Sequence, residues 1–497
     1  MTASSNSRQA MWVAIGQFCA YAIGIVSPMI LSRYFDKGDY GTYKQVMYVY
    51  NTLITVFAFG LPRSYSYFIP RVSIGESKDV VRKITRLFVI LGVFFSLLLY
   101  FGSSIIALIL KNPDLDLALK YFSPTPLFLL PVMGLDCIMA SYKRTQFIAI
   151  YSVITKIFTI LCIVVPVILF KCNYLSAIIG FDIASFISFL LALYFRNIPT
   201  KGIELEKTSV TIKEILAFTA PLIIASVWIM IFQSANQFFV SRYYGNEVFA
   251  DFSNGFIEFP VIPMVVNSVA TVLLPLFSGM VVNDKDNLKI AWINALEKSI
   301  KITYPIAVFS IIFAALIMTC FYGSQYESSG IYFIVKNFEG FFMIIPFYPI
   351  ILALGKTNQY SNIHLVMALA IVPLEFIIVK FGLPAIMIGV VFEICVFAKV
   401  ALQFRVVSRT INMTFKDLIP MKSMVRIITV SIASSILPLF VYHYCHWLNK
   451  YFLLSLTIIL FIICYYLLCW VFHVTYKDVL VGFLHNKKYM GILKIIP

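Results

Sequence analysis

Two arginines of this chain stand in nearly the same sentence. Arg33 lies in "LSRYFDKGDYGTY" (31–43) and Arg242 in "VSRYYGNEVFADF" (240–252), each after a serine and before a tyrosine, 209 residues apart. A guanidinium offers a planar fork of donors that matches the paired oxygens of a phosphate or carboxylate. Lys44 and Lys156 lie in apolar runs of the same half, and Arg63 and Arg71 lie within "FGLPRSYSYFIPR" (59–71). Only Asp136 and Asp182 oppose them within the apolar runs there. The chemistry these residue types offer is the binding of an anion. A second group, Glu258 with Lys336 and Glu339, could bind a coupling proton or cation, or act in gating. Lys336 and Glu339 are one helical turn apart and can pair on one face. Glu375 and Glu393 add two more acids to apolar runs.

The elements that must position these groups are membrane helices. Of 497 residues 61% are hydrophobic and 12% charged, where a soluble domain carries about a quarter. Runs of roughly 20 apolar residues, the length a bilayer core requires, fall at about 9–31, 42–62, 84–110, 118–140, 147–170, 175–195, 214–240, 250–281, 300–322, 330–353, 361–380, 383–404, 424–443 and 451–473. The pattern predicts an all-α integral membrane fold of about fourteen spans with both termini on one side. The start of the chain lacks a signal-peptide pattern and is read as the first span. With the N-terminus inside, inner segments hold 27 of the Lys and Arg residues, outer loops 8 and the spans 4, and one of the densest inner loops is 63–86 with Arg63, Arg71, Lys78, Arg82, Lys83 and Arg86. That asymmetry predicts a cytoplasmic-membrane protein with both termini cytoplasmic. It also assigns the net charge of +16 to topology and excludes nucleic acid as the partner.

The two arginine sentences close the first and seventh spans. Six spans separate them, an even number, so both copies enter the membrane in the same sense, as in a parallel repeat. The expected organisation is a six-helix lobe over 1–196, a second over 197–405, and two further spans with an amphipathic, lipid-attracted tail over 406–497. Prolines such as Pro28 and Pro221, in the first helix of each lobe, are candidate hinges. For Arg33 and Arg242 two readings stay open, anion ligand or interfacial anchor beside Tyr34 and Tyr243. Arg63 and Arg71 are equally readable as topology determinants.

Other signals carry no chemistry. "LGKTN" (354–358) lacks the upstream glycine of a phosphate-binding loop, where Ile350 stands. "HYCHW" (443–447) has no second ligand group for a metal. The nine cysteines show no paired spacing. No serine–histidine or paired-carboxylate arrangement suggests hydrolysis, so neither enzyme, cofactor nor metal site is expected.

The stretch "MILSRYFDKGDYGTYKQ" followed by "FGLPRSYSYFIPR", with "VSRYYGNEVFADF" and "FYGSQYESSG" later, resembles the Wzx-type polysaccharide flippases. These belong to the group that includes multidrug-and-toxin exporters and lipid II flippases. The resemblance implies two six-helix lobes around a central cavity, here with two C-terminal helices added. It implies movement of an undecaprenyl-diphosphate-linked oligosaccharide from inner to outer leaflet by alternating access, for surface polysaccharide such as O-antigen. The cationic cavity of that family would fall on Arg33, Lys44, Arg63, Arg71 and Arg242. Implied partners are the lipid-linked substrate, membrane lipids, and glycan polymerase and chain-length machinery, with a monomer sufficient for transport. Two alternatives are a multidrug exporter of the same fold, which would want an acidic cavity, and a membrane glycan polymerase or ligase, which would want a long outer loop.

Overall fold

The computed structural model describes residues 16, 23–58, 60–259, 261–266, 285–344, 347, 350–351, 354–445 and 447–476. Residues 477–497 of the expected amphipathic tail (475–497), most of 9–22 and all of 267–281 in the first and eighth spans, Pro260, Pro346, Pro349 and His446 lie outside them. Every regular element among the described residues is a helix. The chain divides into two units, Met1–Ala250 and Asp251–Pro497. In order, the helices are α1 (23–34), α2 (Lys37–Phe57), α3 (Leu61–Phe68), α4 (Ile74–Leu110), α5 (Asp114–Phe122), α6 (Thr125–Leu129), α7 (Leu135–Ser141), α8 (Gln146–Phe170), α9 (Tyr174–Asn197), α10 (Ile212–Tyr243) and α11 (Asn246–Gly255). There follow α12 (261–266), α13 (Lys285–Ile312), α14 (Ala314–Tyr322), α15 (Ser329–Asn337), α16 (Thr357–Lys380), α17 (Ile386–Ile411), α18 (Phe415–Leu418), α19 (Met421–Tyr444) and α20 (Lys450–Val471).

In the first unit α4 sets the scale. Its 37 residues run about 56 Å at 1.5 Å per residue, well beyond a hydrocarbon core of about 30 Å. One stripe (Val80, Ile84, Phe88, Phe95, Leu99, Ala107) is buried at a spacing of three and four. The other face exposes Phe94, Phe101, Ile105 and Leu108, and Leu108 is 77% exposed. A helix apolar on both faces is at home only where lipid covers the outward one. α2 meets the buried stripe through rings: Tyr50 lies 6.0 Å from Phe95, and Phe57 stacks on Phe95 at 4.4 Å. α8 and α9 approach closely at Gly180, where a Cβ would stand 2.2 Å from the Cys162 carbonyl oxygen.

The second unit packs around α13, whose Trp292, Leu296, Ile300 and Tyr304 join Val400, Phe404, Val407, Ile427 and Val430. Trp292 donates its indole N–H to the Leu418 carbonyl at 2.8 Å. Outside the apolar layer Lys289 and Thr414 hold the Asp417 carboxyl down at about 2.

Eight helices among the described residues are long and apolar enough to cross a membrane, and a bent pair, Trp292–Ile312 with Ala314–Tyr322 at 79°, makes a ninth candidate. The chain is a multi-pass membrane protein. Several boundaries differ from those the sequence predicts. The segment 63–86, expected as a loop, contains α3 and the first turns of α4, so Lys78, Arg82, Lys83 and Arg86 stand on a helix. The cause is a reciprocal cap: Ser73 accepts the Glu76 amide while Glu76 accepts the Ser73 amide. α2 and α3 are separated by Gly60 at φ +65, with a proline at the start of α3. The expected span 330–353 is not one helix, because α15 stops at Asn337 and a 3-10 turn over Phe338–Phe341 carries Glu339.

Candidate functional site

The repeated sentences fold alike. Each is a helix end, a two-residue break and a new helix, and the new helices begin at Lys37 and Asn246, again 209 residues apart. The break is made differently in the two copies. Asp36 accepts the Asp39 amide at 2.8 Å as an N-cap, whereas its counterpart Gly245 turns the chain at φ +85. Matching aromatic positions, Tyr40 with Phe249 and Tyr43 with Phe252, are all buried.

Within the first unit the two copies are stitched by amides. Gln45, fully buried, donates to the Ser241 hydroxyl at 2.9 Å and to the Asn246 side-chain oxygen at 3.1 Å. Its own oxygen accepts from Asn112 at 2.5 Å, and Asn112 also donates to Thr42 at 3.0 Å. Tyr48 and Thr52 continue the seam, each bonding to Ser234 on α10. Gly41 permits it, since a Cβ there would lie 2.2 Å from the Asn246 carbonyl oxygen. Gly41→Ala is therefore expected to cost about 1–3 kcal/mol by forcing backbone apart, read as a lower unfolding midpoint of the purified protein. Gly102→Ala, on α4 with nothing within 4 Å of the added Cβ, leaves the midpoint unchanged or raises it.

The cations predicted as anion ligands have distinct surroundings. Arg33 is exposed in the last turn of α1. Arg242, half-buried at the end of α10, donates to the Ile109 carbonyl and so caps α4, with its guanidinium 5.4 Å from the Tyr243 ring. Lys111 approaches that ring from α4's end at 5.4 Å. Arg63 is exposed on α3, and Arg71 stacks on Tyr67 at 3.5 Å while donating to its carbonyl at 3.0 Å. Lys44 and Lys156, half-buried on α2 and α8, make no hydrogen bond or ion pair among the described residues, and Lys44 has the Tyr40 ring at 5.5 Å. Asp182 is bonded by the Thr125 hydroxyl.

In the second unit the charges converge. Lys336 pairs with Glu339, as its spacing predicts, and also with Glu393 on α17 at 3.3 Å. Its ammonium lies 5.3 Å and 5.2 Å from the rings of Phe256 and Phe392. Glu258, on the irregular segment after α11, and Lys399 on α17 interact electrostatically with this triad. The group holds three carboxyls and two ammoniums. Glu375, fully buried on α16, has neither oxygen hydrogen-bonded among the described residues.

Three arrangements were not read from the sequence: the Gln45–Asn112–Asn246 seam, the Glu393 arm of the triad, and the basic groove along the start of α4 described below. The first two join residues far apart in the chain by single polar contacts, which leave no periodic trace. The groove did leave a signal, the Ser73-x-x-Glu76 capping box.

Comparison with known proteins accords with these features. No curated protein sequence matches the chain. Among solved structures, lipid II flippase MurJ in an inward closed conformation superposes with a TM-score of 0.70 at 18% identity, covering 94% of this chain and 99% of that one. An inward-facing multidrug resistance MATE family transporter of the MOP superfamily gives 0.64 at 13%, covering 80% and 96%. A MOP superfamily transporter from Pyrococcus furiosus, described as having a binding pocket of reverse polarity, gives 0.57 at 13%, covering 82% and 96%. These likenesses establish the fold. The family model for polysaccharide biosynthesis proteins matches residues 7–281, more than half the chain. With its all-helical multi-pass architecture and this match, the chain belongs to the polysaccharide biosynthesis protein family.

Proposed function

We propose that the protein is a Wzx-type flippase that carries an undecaprenyl-diphosphate-linked oligosaccharide from the inner to the outer leaflet of the cytoplasmic membrane by alternating access. Fourteen spans, lobes over 1–196 and 197–405 with two added spans in 406–497, and cytoplasmic termini belong to this reading. The observation that carries it is the sorting of buried charge. In the first unit Lys44 and Lys156 are half-buried without a carboxylate partner among the described residues, while in the second Lys336 is neutralised by Glu339 and Glu393. An ammonium withdrawn from water without an anion is costly, and a diphosphate is the anion that would relieve it. Arg33, Arg63, Arg71 and Arg242 would add guanidinium donors along the route of the head group, with the polyprenyl tail left in lipid. Glu258, with Lys336 and Glu339, is proposed for coupling or gating, because that group has one carboxyl more than its ammoniums. Outward movement of negative charge across an inside-negative potential gains about 2.3 kcal/mol per charge per 100 mV. An exporter of organic cations would reverse the sorting.

Lys44→Met and Lys156→Met test the reading. A hydrogen bond to a charged group contributes about 1.5–3 kcal/mol, so each is expected to lower surface glycan about tenfold or more at unchanged protein abundance. Translocation of a lipid-linked oligosaccharide in proteoliposomes should fall with it. Wild-type translocation in both variants, or efflux of cationic dyes that depends on these lysines, would overturn the proposal.

A further inference from the structure

A cavity inside the first unit lies along the face of α4 that carries Lys78, Arg82 and Arg86. Its volume is about 730 Å³, in the range of small-molecule sites. Arg196, at the end of α9, closes it from the opposite side, and its guanidinium is fixed by donation to the Thr85 hydroxyl at 2.9 Å. The third wall is the segment after α9, which contributes Leu205.

That segment is a fastened strap. The Glu206 amide donates to the Gly75 carbonyl at 3.3 Å, and Lys83 donates to the carbonyls of Thr208 and Val210 at 3.3 and 2.9 Å. The same fastening removes the acids. Asp79 accepts the Thr208 amide and pairs with Lys83 at 3.0 Å, Glu206 takes the Ser73 hydroxyl at 2.7 Å, and Glu76 caps its own helix. Four cations are left facing the cavity with no carboxylate in its lining. Arg82 and Arg86 make no hydrogen bond or ion pair among the described residues. Below them the same face of α4 turns apolar, and Val89 and Ile90 are 39% and 64% exposed.

A cluster of guanidiniums above an exposed aliphatic strip is complementary to one chemistry: a phosphate with hydrocarbon attached. We propose that this groove holds the phosphate headgroup of an anionic phospholipid drawn from the surrounding bilayer, with an acyl chain along Val89 and Ile90. Bidentate contacts from Arg82, Arg86 and Arg196 take the phosphate oxygens, and Lys78, which already donates to the Ile203 carbonyl at 3.0 Å, adds charge at the rim. Such a lipid would bridge α4, α9 and the strap. The proposal concerns bilayer lipid and stands apart from the transport reading.

The test is native mass spectrometry of the purified full-length chain titrated with dioleoylphosphatidylglycerol, dioleoylphosphatidylcholine or undecaprenyl diphosphate. The expected result is preferential retention of one phosphatidylglycerol. The double variant Arg82→Ala with Arg86→Ala should weaken it about twenty-five-fold, at roughly fivefold per basic residue. Leu205→Trp, which fills the groove and keeps every cation, should abolish it. Three results would overturn the proposal: equal retention of phosphatidylcholine, phosphatidylglycerol binding in Leu205→Trp as in the wild type, which would mean a diffuse basic surface, or retention of undecaprenyl diphosphate alone through these arginines.

Discussion

Lys336→Met is expected to cost about 3–5 kcal/mol, the range for removing one partner of a buried ion pair. Glu339 and Glu393 are only 6% and 7% exposed, and the substitution leaves both without the ammonium that joins them. One oxygen of Glu393 already lacks a hydrogen-bond partner among the described residues. Methionine fills the stem's volume between Phe256 and Phe392, so lost packing contributes little and the cost is electrostatic. The measurement is the unfolding midpoint of the purified protein together with its yield from the membrane. The triple variant Lys336→Met, Glu339→Gln, Glu393→Gln removes the charge of the triad, leaves Glu258 and Lys399 with opposite single charges, and should return stability to near the wild type, because a neutral replacement of a buried pair is often no worse. Its transport then separates two roles. A scaffold alone would regain translocation with stability, whereas a coupling group would leave a stable protein that does not translocate. Failure of the triple variant to recover stability would show that the triad is held by packing and not by charge.

What could be read from the sequence, and what could not, divides along physical lines. Membrane spans are one-dimensional signals, and the apolar runs at 84–110, 147–170, 175–195 and 424–443 each lie inside a helix of the structure. The spacing of Lys336 and Glu339 is local and their pair formed, even though the helix gives way to a 3-10 turn between them. The start of α4 was legible too, but hydropathy outweighs capping in locating a span, so ten basic-rich residues were assigned to a loop. Counting charge by loop then read Arg82 and Arg86 as topology signals, when the helix lines them up on one face with Lys78. Arg242 shows a different limit. A guanidinium at a helix end can meet a ligand, the headgroup layer or a neighbouring helix, and here it caps the last turn of α4. Nothing in the residues around it distinguishes a foreign carbonyl from a phosphate.

Gln45→Leu carries the second large effect, because the seam it breaks joins the two copies of the repeat. The side chain is fully buried and makes three amide or hydroxyl contacts, so leucine leaves Asn112, Asn246 and Ser241 each short of a partner. An unsatisfied buried polar group costs about 1–3 kcal/mol, and Thr42 absorbs part of the loss, since it already accepts from Asn112 at 3.0 Å. A net destabilisation of about 3 kcal/mol is expected, seen as a lower unfolding midpoint. Asn112→Leu alone should cost less, about 1–2 kcal/mol, because Gln45 keeps both of its donor contacts. The double variant is the informative one. Replacing both partners of a buried hydrogen bond by apolar groups of similar size removes the orphaned atoms together. Its cost should therefore fall below the sum of the two single costs by 1 kcal/mol or more, the sign of direct coupling. Strict additivity would mean that the Gln45 and Asn112 side chains do not meet. The Gln45 contacts with Ser241 and Asn246, which join the two copies, would then carry the whole cost of Gln45→Leu.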